Sequence, residues 1–305
     1  MTAPFRPNQS LPWGMTGSAR RAAFELVVSA RFNAHNIPET IPPMVTFSVV
    51  GWHSLQSPGS DLPLILASGF VYSWMFLYIH TLSNQATGAA EDAVNKPFRP
   101  IPARLVTVRG AHLRFVPAVA VFLTLGWLNH ALWSALGWAV AVTLHNYCGG
   151  DRHWLGRQAF NMAAVPLGFS ASWLIAGPLT EDAWRYIGAI CALLTLIFIQ
   201  DLRDVAGDAR VHRRTLPLVL GEGPTRALAA AMLVAFPCAA WSFLPTDRYL
   251  WHTGPIWTGV FICVFAWIAL RLVIRRTPSD DHWAYRTYLT FGQIWLIAGL
   301  ALLQR

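Results

Sequence analysis

The sequence contains few charged residues. Asp, Glu, Lys and Arg together account for 12% of the 305 residues, whereas 54% are hydrophobic and the mean hydropathy is +0.40. In water-soluble globular proteins about a quarter of the residues are charged. The composition therefore argues strongly against a soluble enzyme and predicts an integral membrane protein.

Cysteine patterns that hold metals or disulfide frameworks are absent as well. The four cysteines, Cys148, Cys191, Cys238 and Cys263, lie in or beside apolar stretches, with no CxxC pair and no histidines at zinc-binding spacing. The residues before Arg20 contain no apolar core, so we expect no cleaved signal peptide. The net charge of +8 is spread between apolar runs instead of forming one patch, which argues against a nucleic-acid partner.

Apolar runs of membrane-spanning length recur along the chain. They predict an all-α, multi-pass membrane bundle of about nine transmembrane helices around a central cavity. The predicted spans are residues 41–58, 62–83, 112–128, 130–148, 158–178, 183–200, 225–245, 253–272 and 287–304. Most basic residues between them fall in the loops after spans two, four, six and eight, so we expect these loops to face the cytoplasm. Residues 1–36 then form an N-terminal cytoplasmic or interfacial segment, and residues 37–305 form a single transmembrane domain.

Two polar segments on the predicted cytoplasmic side concentrate the acids. The first acidic segment, residues 84–102, reads NQATGAAEDAVNKPFRPIP, and the second acidic segment, residues 201–217, begins DLRDVAGD. Three aspartates of the second are spaced i, i+3 and i+7, which places them on one face of a helix. Carboxylates this close repel one another unless cations such as Mg²⁺ lie between them, and Mg²⁺ commonly shares its ligands with phosphates. The predicted metal ligands are Asn84, Glu91, Asp92, Asp201, Asp204 and Asp208.

Basic residues accompany these acids, namely Lys96, Arg99, Arg157 and Arg203. One interpretation is that these residues only set the membrane topology, which requires no ligand. The other is that they bind a polyanion that is bridged to a metal, because such an anion needs basic donors to neutralise its remaining oxygens. We expect at least two of the four to contact a phosphate. The acids also have a simpler interpretation, as solvated charges that balance the arginines, but two such segments on one face favour a shared site.

Together the two segments resemble the signature loops of the UbiA superfamily of intramembrane prenyltransferases. The resemblance rests on NQxxGxxEDxxNKPxRPIP from Asn84, on DLRDVAGD from Asp201, and on their positions after the second and sixth of nine spans. It implies a Mg²⁺-dependent enzyme that binds a small-molecule isoprenoid diphosphate, with the diphosphate at the polar rim and the tail in the apolar interior. It also implies that residues 37–305 are one UbiA-like catalytic domain, with Asp92, Asp204 and Asp208 as catalytic residues.

The first acidic segment departs from the usual NDxxDxxxD motif of that superfamily. Gln85 and Gly88 stand where aspartates are expected, whereas Asn84 and Asp92 are retained and Glu91 is added. This form resembles the branch that contains membrane-bound terpene cyclases. The resemblance implies cyclisation of one allylic diphosphate, for which we expect a C15 chain and a sesquiterpene product.

Aromatic residues supply the faces that a carbocation intermediate needs. The chain has 15 Trp, 17 Phe and 7 Tyr, although belts at the membrane interfaces account for many of them. Counting back along the helices from Asn84 and Asp201 directs Phe76, His80 and Phe198 into the cavity, and we expect Phe198 to steer the cation. His80 is either a base or, as is more usual for a histidine in a membrane helix, hydrogen-bonded to a neighbouring helix.

Two other functions stay open. A prenyltransferase would pass the same allylic group to a lipophilic acceptor, but residues 193–200 contain no ionisable side chain that would bind one. A transporter or lipid-binding protein would use the acids for a coupling ion, but they lie at loop level instead of near the bilayer midplane. No oligomeric state follows from the sequence.

Overall fold

The computed structural model describes residues 17–241 and 254–303, and within these ranges the regular elements are helical. The α-helices are α1 (Gly17–Asn33), α2 (Ile37–Ser54), α3 (Leu62–Thr87), α4 (Ala89–Asn95), α5 (Val108–Leu128), α6 (Leu132–Tyr147), α7 (Trp154–Leu174), α8 (Glu181–Leu194), α9 (Asp201–Arg210), α10 (Leu216–Leu220), α11 (Glu222–Trp241), α12 (Gly254–Ile274) and α13 (Pro278–Leu303). Short 3₁₀ turns at Gly59–Asp61, Gly150–Arg152 and Ile197–Gln200 precede α3, α7 and α9.

Each of the nine predicted spans overlaps one long helix, namely α2, α3, α5, α6, α7, α8, α11, α12 or α13. Within the described ranges, three stretches are long and apolar enough to cross a membrane: Gly59–Thr87, Val108–Leu128 and Glu181–Arg210. The all-α fold is thus confirmed for the described residues, whereas the number of membrane crossings stays a prediction. Parts of the last three predicted spans, at 242–245, 253 and 304, lie outside the described residues.

A tight turn divides the apolar stretch that carries the third and fourth predicted spans. α5 ends at Leu128 and α6 begins at Leu132, and His130 between them has a left-handed backbone with φ 57°. Gly126 lets the two helices approach closely, because an added Cβ would lie only 2.5 Å from Cβ of Ala135. The sequence-based division of this stretch into two helices is confirmed.

The sixth predicted span, by contrast, is not one continuous helix. α8 ends at Leu194, and a 3₁₀ turn at Ile197–Gln200 leads into α9. Because a 3₁₀ turn has fewer residues per turn than an α-helix, side chains in this stretch point in directions that an unbroken helix does not predict. This break positions the second acidic segment and changes which residues face the interior.

Two buried hydrophobic clusters flank a central cavity. One includes Tyr72 of α3 and Trp138 of α6, and the other includes Tyr186 of α8 and Tyr288 of α13. Residues of α2, α3, α6, α7 and α13 line the cavity between them. The clusters therefore hold the helices that position the acidic segments at its mouth.

The described part of the N-terminal segment forms α1, which packs on α3. Phe32 is fully buried, and Asn33 Nδ2 donates to the carbonyl oxygen of Trp74 over 3.1 Å. Leu26 is 71% exposed, so the helix also presents an apolar side chain outward, as a helix at a membrane interface does. A domain boundary at residue 36 stays a prediction, and residues 1–16 lie outside the described ranges.

Candidate active site

The two acidic segments meet at one end of the bundle, where Asn95 of α4 joins them. Its Nδ2 donates to the carbonyl oxygen of Asp204 over 3.0 Å, 109 residues away, and its Oδ1 accepts from the backbone N–H of Gly207 over 3.1 Å. The absence of a side chain at Gly207 makes room for this contact, because a Cβ there would lie 2.2 Å from Asn95 Nδ2 and displace the amide. The prediction that both segments face one cavity mouth is therefore confirmed.

Acids of the two segments form buried ion pairs with the predicted phosphate-binding residues. The pairs are Lys96 Nζ to Asp204 Oδ2 at 2.9 Å, Arg99 Nη1 to Asp92 Oδ1 at 2.7 Å, and Arg157 Nη2 to Asp201 Oδ1 at 2.6 Å. None of the six side chains is more than 14% exposed. Charges this deeply buried persist because each has a partner.

Arg213 connects the two segments to a third element. Its guanidinium contacts Glu91, Asp208 at 3.2 Å and Asp151 at 2.6 Å. Six acids and five bases thus converge here, and we call this group the charged mouth. Its members are Glu91, Asp92, Lys96, Arg99, Asp151, Arg157, Asp201, Arg203, Asp204, Asp208 and Arg213.

Arg203 lies between the charged mouth and α13. Its Nε is 3.4 Å from Asp204 Oδ2, its guanidinium carbon lies 4.5 Å from the centroid of the Tyr285 ring, and Nη1 contacts His282 Nδ1. The guanidinium is therefore held by a carboxylate and an aromatic face together. Together with Lys96, Arg99 and Arg157, Arg203 lines the cavity.

The neighbouring carboxyls Glu91 and Asp92 differ in how readily they ionise. Burial works against ionisation of Glu91, but Lys96 and Arg213 outweigh it and hold the pKa of Glu91 below its usual value. For Asp92 burial outweighs the attraction of Arg99, so the pKa of Asp92 is raised. Glu91 is therefore the more firmly charged of the two.

The donor set of the charged mouth fits a divalent cation in its chemistry. In the described ranges, His, Cys, Asp and Glu side chains form no ready group of three that would hold a metal, because the acids pair with bases instead. Asp208 Oδ2, however, is buried without a hydrogen-bond partner in that part of the chain. Asn84, the predicted amide ligand, lies beside Asn146, with its Nδ2 3.4 Å from Asn146 Oδ1. Carboxylate and amide oxygens of this kind are ligands that Mg²⁺ accepts.

Stacked rings line the cavity below the charged mouth. Phe76 and Trp138 stack with centroids 4.0 Å apart, Trp138 and Phe160 at 5.0 Å, and Phe160 and His145 at 4.0 Å. Trp138 Nε1 donates to the carbonyl oxygen of Phe76 over 2.9 Å, which fixes the indole ring in this position. We call these four residues the ring column.

Phe198 does not belong to the cavity wall. It is 9% exposed and packs in the cluster of α8 and α13, whereas Ile197 and Gln200 line the cavity. The prediction that Phe198 points into the chamber is wrong, because counting back from Asp201 assumed an unbroken helix where the structure has a 3₁₀ turn. Phe76 and His80, counted back along the unbroken α3, do line the cavity.

Polar groups on α2 and α13 were also missed from the sequence. Glu39 of α2 and Tyr285 of α13 line the cavity. Glu39 Oε1 accepts from Arg286 Nε over 2.7 Å, and its Oε2 is buried with no hydrogen-bond partner in the described part of the chain. Residues 193–200 contain no such group, and these two side chains come from helices distant in sequence.

The chain belongs to the UbiA prenyltransferase family, whose family model matches residues 41–297. It is therefore an integral membrane enzyme, and the sequence-based assignment to this superfamily is confirmed. In fold it resembles a UbiA homolog from Archaeoglobus fulgidus solved with GPP and Mg²⁺, with a TM-score of 0.64 over 90% of this chain and 99% of that chain. At 11% identity, this likeness shows the fold alone.

Curated relatives are more similar in sequence. Somaliensene A/B synthase from Streptomyces somaliensis is 36% identical, over 94% of this chain and 98% of its own. Two proteins of Hericium erinaceus also match: the diterpene cyclase eriG, 34% identical over 79% of this chain and 82% of its own, and the polyprenyl transferase eriF, 31% identical over 90% and 93%. Similarity to cyclases confirms the expected resemblance to the terpene cyclase branch.

Proposed function

We propose that this enzyme is a Mg²⁺-dependent class I terpene cyclase of the UbiA type. It ionises one allylic prenyl diphosphate, with C15 farnesyl diphosphate as the expected substrate, cyclises it to a sesquiterpene and releases diphosphate. The observation that carries the proposal is the charged mouth directly above a cavity lined by stacked aromatic rings. The names of two relatives, a synthase and a diterpene cyclase, support it.

The basic residues of the charged mouth would bind the diphosphate. Lys96, Arg99, Arg157 and Arg203 line the cavity, and all four now pair with acids of the two segments. A bound diphosphate would offer these donors phosphate oxygens in place of carboxylates. The prenyl chain, which carries no charge, would then lie against the apolar wall below.

The acids would hold the metal. Asn84, Glu91, Asp92, Asp201, Asp204 and Asp208 supply its oxygen ligands, and the unpartnered Oδ2 of Asp208 supports this assignment. Mg²⁺, when bound, supplies positive charge that offsets the charge of the departing diphosphate. The loops that carry the two acidic segments would face the cytoplasm, because most basic residues between the predicted spans lie on that side.

The ring column would steady the hydrocarbon cation after ionisation. Phe76, Trp138 and Phe160 line an apolar chamber that would keep the cation from water. Their rings stack on one another, so the cation would be attracted by the ring faces that no neighbouring ring covers. Because the rings hold one another in place, they favour one folded shape of the prenyl chain over others. Changes in the ring column would therefore alter the identity of the product more than they alter the rate of ionisation.

A prenyltransferase is the second candidate, and a specific feature favours it. Glu39 and Tyr285 offer a carboxylate oxygen and a phenol on the cavity wall, where a polar acceptor would bind. The relative named polyprenyl transferase is similar to this chain over most of its length. The two functions differ in whether a second substrate is needed.

Two variants distinguish the cyclase from the prenyltransferase: Glu39→Gln changes the possible acceptor site, and Trp138→Leu changes the ring column. Purified protein would be given farnesyl diphosphate and Mg²⁺, with and without a phenolic acceptor, and the hydrocarbon and adduct products quantified. The cyclase predicts cyclic hydrocarbon without acceptor, a changed hydrocarbon mixture in Trp138→Leu and little change in Glu39→Gln. Adduct formation that requires the acceptor and falls in Glu39→Gln would establish the transferase instead.

A further inference from the structure

Two histidines lie beside the charged mouth on the cavity wall: His80, and His145 of the ring column. His80 is one turn before Asn84 on α3, and His145 precedes Asn146 near the end of α6. Both line the cavity, with ring centroids 6.5 Å apart. They flank Phe160, whose centroid lies 5.1 Å from that of His80 and 4.0 Å from that of His145.

Each of these histidines keeps an unpartnered ring nitrogen. Nδ1 of His80 and Nδ1 of His145 are buried, and neither has a hydrogen-bond partner within 17–241 or 254–303. The helix-to-helix hydrogen bond expected for a membrane histidine is thus absent at Nδ1 of His80 in these ranges. A buried polar atom without a partner destabilises the fold, so each of these nitrogens calls for an explanation, and a role at this site supplies one.

A cyclase that makes a hydrocarbon needs a proton acceptor at the end of its reaction. The last carbocation becomes an alkene only when a neighbouring carbon loses a proton. Neutral imidazole has one ring nitrogen with a free lone pair, and it is the side chain most often used as a general base. Such a base must touch the apolar chamber, and His80 and His145 do so.

We propose that His80 and His145 form the base that ends the cyclisation, an inference that rests on the proposed cyclase function. The C–H bond next to the cationic carbon breaks, and its electron pair forms the new C=C bond. The proton binds the lone pair of an imidazole nitrogen, so the positive charge moves from the hydrocarbon to the histidine. The proton then passes to an oxygen of the released diphosphate at the adjacent mouth, and the histidine returns to its neutral form.

The test replaces each histidine in two ways. Asparagine retains hydrogen-bonding capacity without the base, and phenylalanine retains a ring against Phe160 without the lone pair. The variants are His80→Asn, His80→Phe, His145→Asn and His145→Phe, with His112→Asn as the control. His112 lies on α5, where its Nδ1 pairs with the Tyr147 hydroxyl at 3.0 Å, and it does not line the cavity.

Diphosphate release and hydrocarbon products are measured together on detergent-purified enzyme with farnesyl diphosphate and Mg²⁺. We expect diphosphate release to stay within about threefold of wild type, because ionisation precedes deprotonation. The share of the native hydrocarbon should fall at least about tenfold in both variants of one histidine, with other alkenes or water-quenched alcohols in its place. An effect at one position alone assigns the accepting nitrogen to that ring.

A purely structural role would give a different result, because either asparagine or phenylalanine would then restore the native product share. Such restoration at both positions, or unchanged products in all folded variants, would overturn the proposal while leaving the cyclase function intact. Failure of the proposed function looks different again, since wild-type enzyme would then form no cyclic hydrocarbon from any prenyl diphosphate. Thermal unfolding of each variant identifies those that fold, and two substitutions at two positions keep the comparison decisive.

Discussion

Lys96 Nζ lies 2.9 Å from Asp204 Oδ2, and this contact links the two acidic segments across 108 residues of sequence. Both side chains are less than one-tenth exposed, so the ion pair is shielded from water. A shielded pair holds both segments in place before any ligand binds. It also leaves a buried cation and a buried carboxylate ready to exchange partners when a diphosphate and a metal arrive.

Replacement of Asp204 by alanine should therefore affect both activity and stability. Loss of one partner of a buried pair costs about 3–5 kcal/mol, and loss of a metal ligand at the leaving group should reduce product formation at least about a hundredfold. Product yield and the thermal unfolding midpoint measure the two effects. The control is Glu181→Ala, whose side chain is 80% exposed in an ion pair at the start of α8. Normal product yield from Asp204→Ala would contradict the assignment of this carboxylate.

Removal of divalent cations should abolish the reaction. With EDTA in excess, we expect no hydrocarbon and no diphosphate release, because the basic residues alone leave the charge of the departing diphosphate only partly offset. Addition of Mg²⁺ beyond the chelator should restore both. Activity that persists in EDTA would mean that Lys96 and the arginines are sufficient without a metal.

Gly207→Ala tests the contact between the two segments without removing any charge. An added Cβ would lie within 2.7 Å of three side-chain atoms of Asn95, so the Asn95 side chain or the segments themselves must move and the contact is lost. We expect product formation to fall at least about tenfold, because misplacement of catalytic groups by about 1 Å lowers rates strongly. Gly223→Ala is the matched control, since nothing lies within 4 Å of a Cβ there. Equal activity of the two variants would show that the Asn95 contact does not position the site.

Phe198→Ala and Phe160→Leu should have opposite effects. Phe198 packs in the buried core, so its truncation should lower stability by about 3–5 kcal/mol and leave the product mixture of the remaining folded enzyme unchanged. Phe160 lines the cavity, so its loss should change the mixture more than total turnover. Gas chromatography of the products and thermal unfolding of both variants check this. A product change confined to Phe198→Ala would restore the role predicted for it from sequence.

The orientation of the acidic segments is tested by thiol labelling. Cysteines would be introduced at two exposed positions, Ala103 directly after the first acidic segment and Ala209 within the second, after replacement of the four native cysteines. We expect an impermeant reagent to label both only from the cytoplasmic side, because the basic loops concentrate there. Labelling of both from the outside would reverse the orientation, and labelling from opposite sides would contradict the shared mouth.

Local patterns predicted much of this site, and long-range packing decided the rest. The spacing of Asp201, Asp204 and Asp208 and the form of the first segment identified the acids, because both are properties of single short stretches. Each predicted span overlaps a helix, because an apolar run is also a property of a single stretch of sequence. The partners of those acids depend on how α4 and α9 dock, and no short stretch encodes that.

Residues on the cavity wall show where sequence reasoning fails. Trp138, Phe160 and His145 stack because α6 and α7 pack beside α3, and nothing in their own sequence distinguishes them from aromatic residues that face lipid. The prediction for Phe198 failed for a local reason, since the 3₁₀ turn before Asp201 changes the direction in which the preceding side chains point. Arg213 was visible as a charge in the second acidic segment, but its contact with Asp151 joins loops that sequence analysis treated separately.

The reaction itself is tested most directly by an acceptor-free incubation. Purified enzyme in detergent with Mg²⁺ would receive C10, C15 and C20 allylic diphosphates separately, and volatile products would be identified by mass spectrometry. The account predicts a cyclic hydrocarbon and stoichiometric diphosphate, with the C15 substrate giving the highest yield. If every diphosphate gives only the hydrolysed alcohol, and a prenylated adduct forms once a phenolic or quinone-precursor acceptor is added, the cyclase account is contradicted and the enzyme is a transferase.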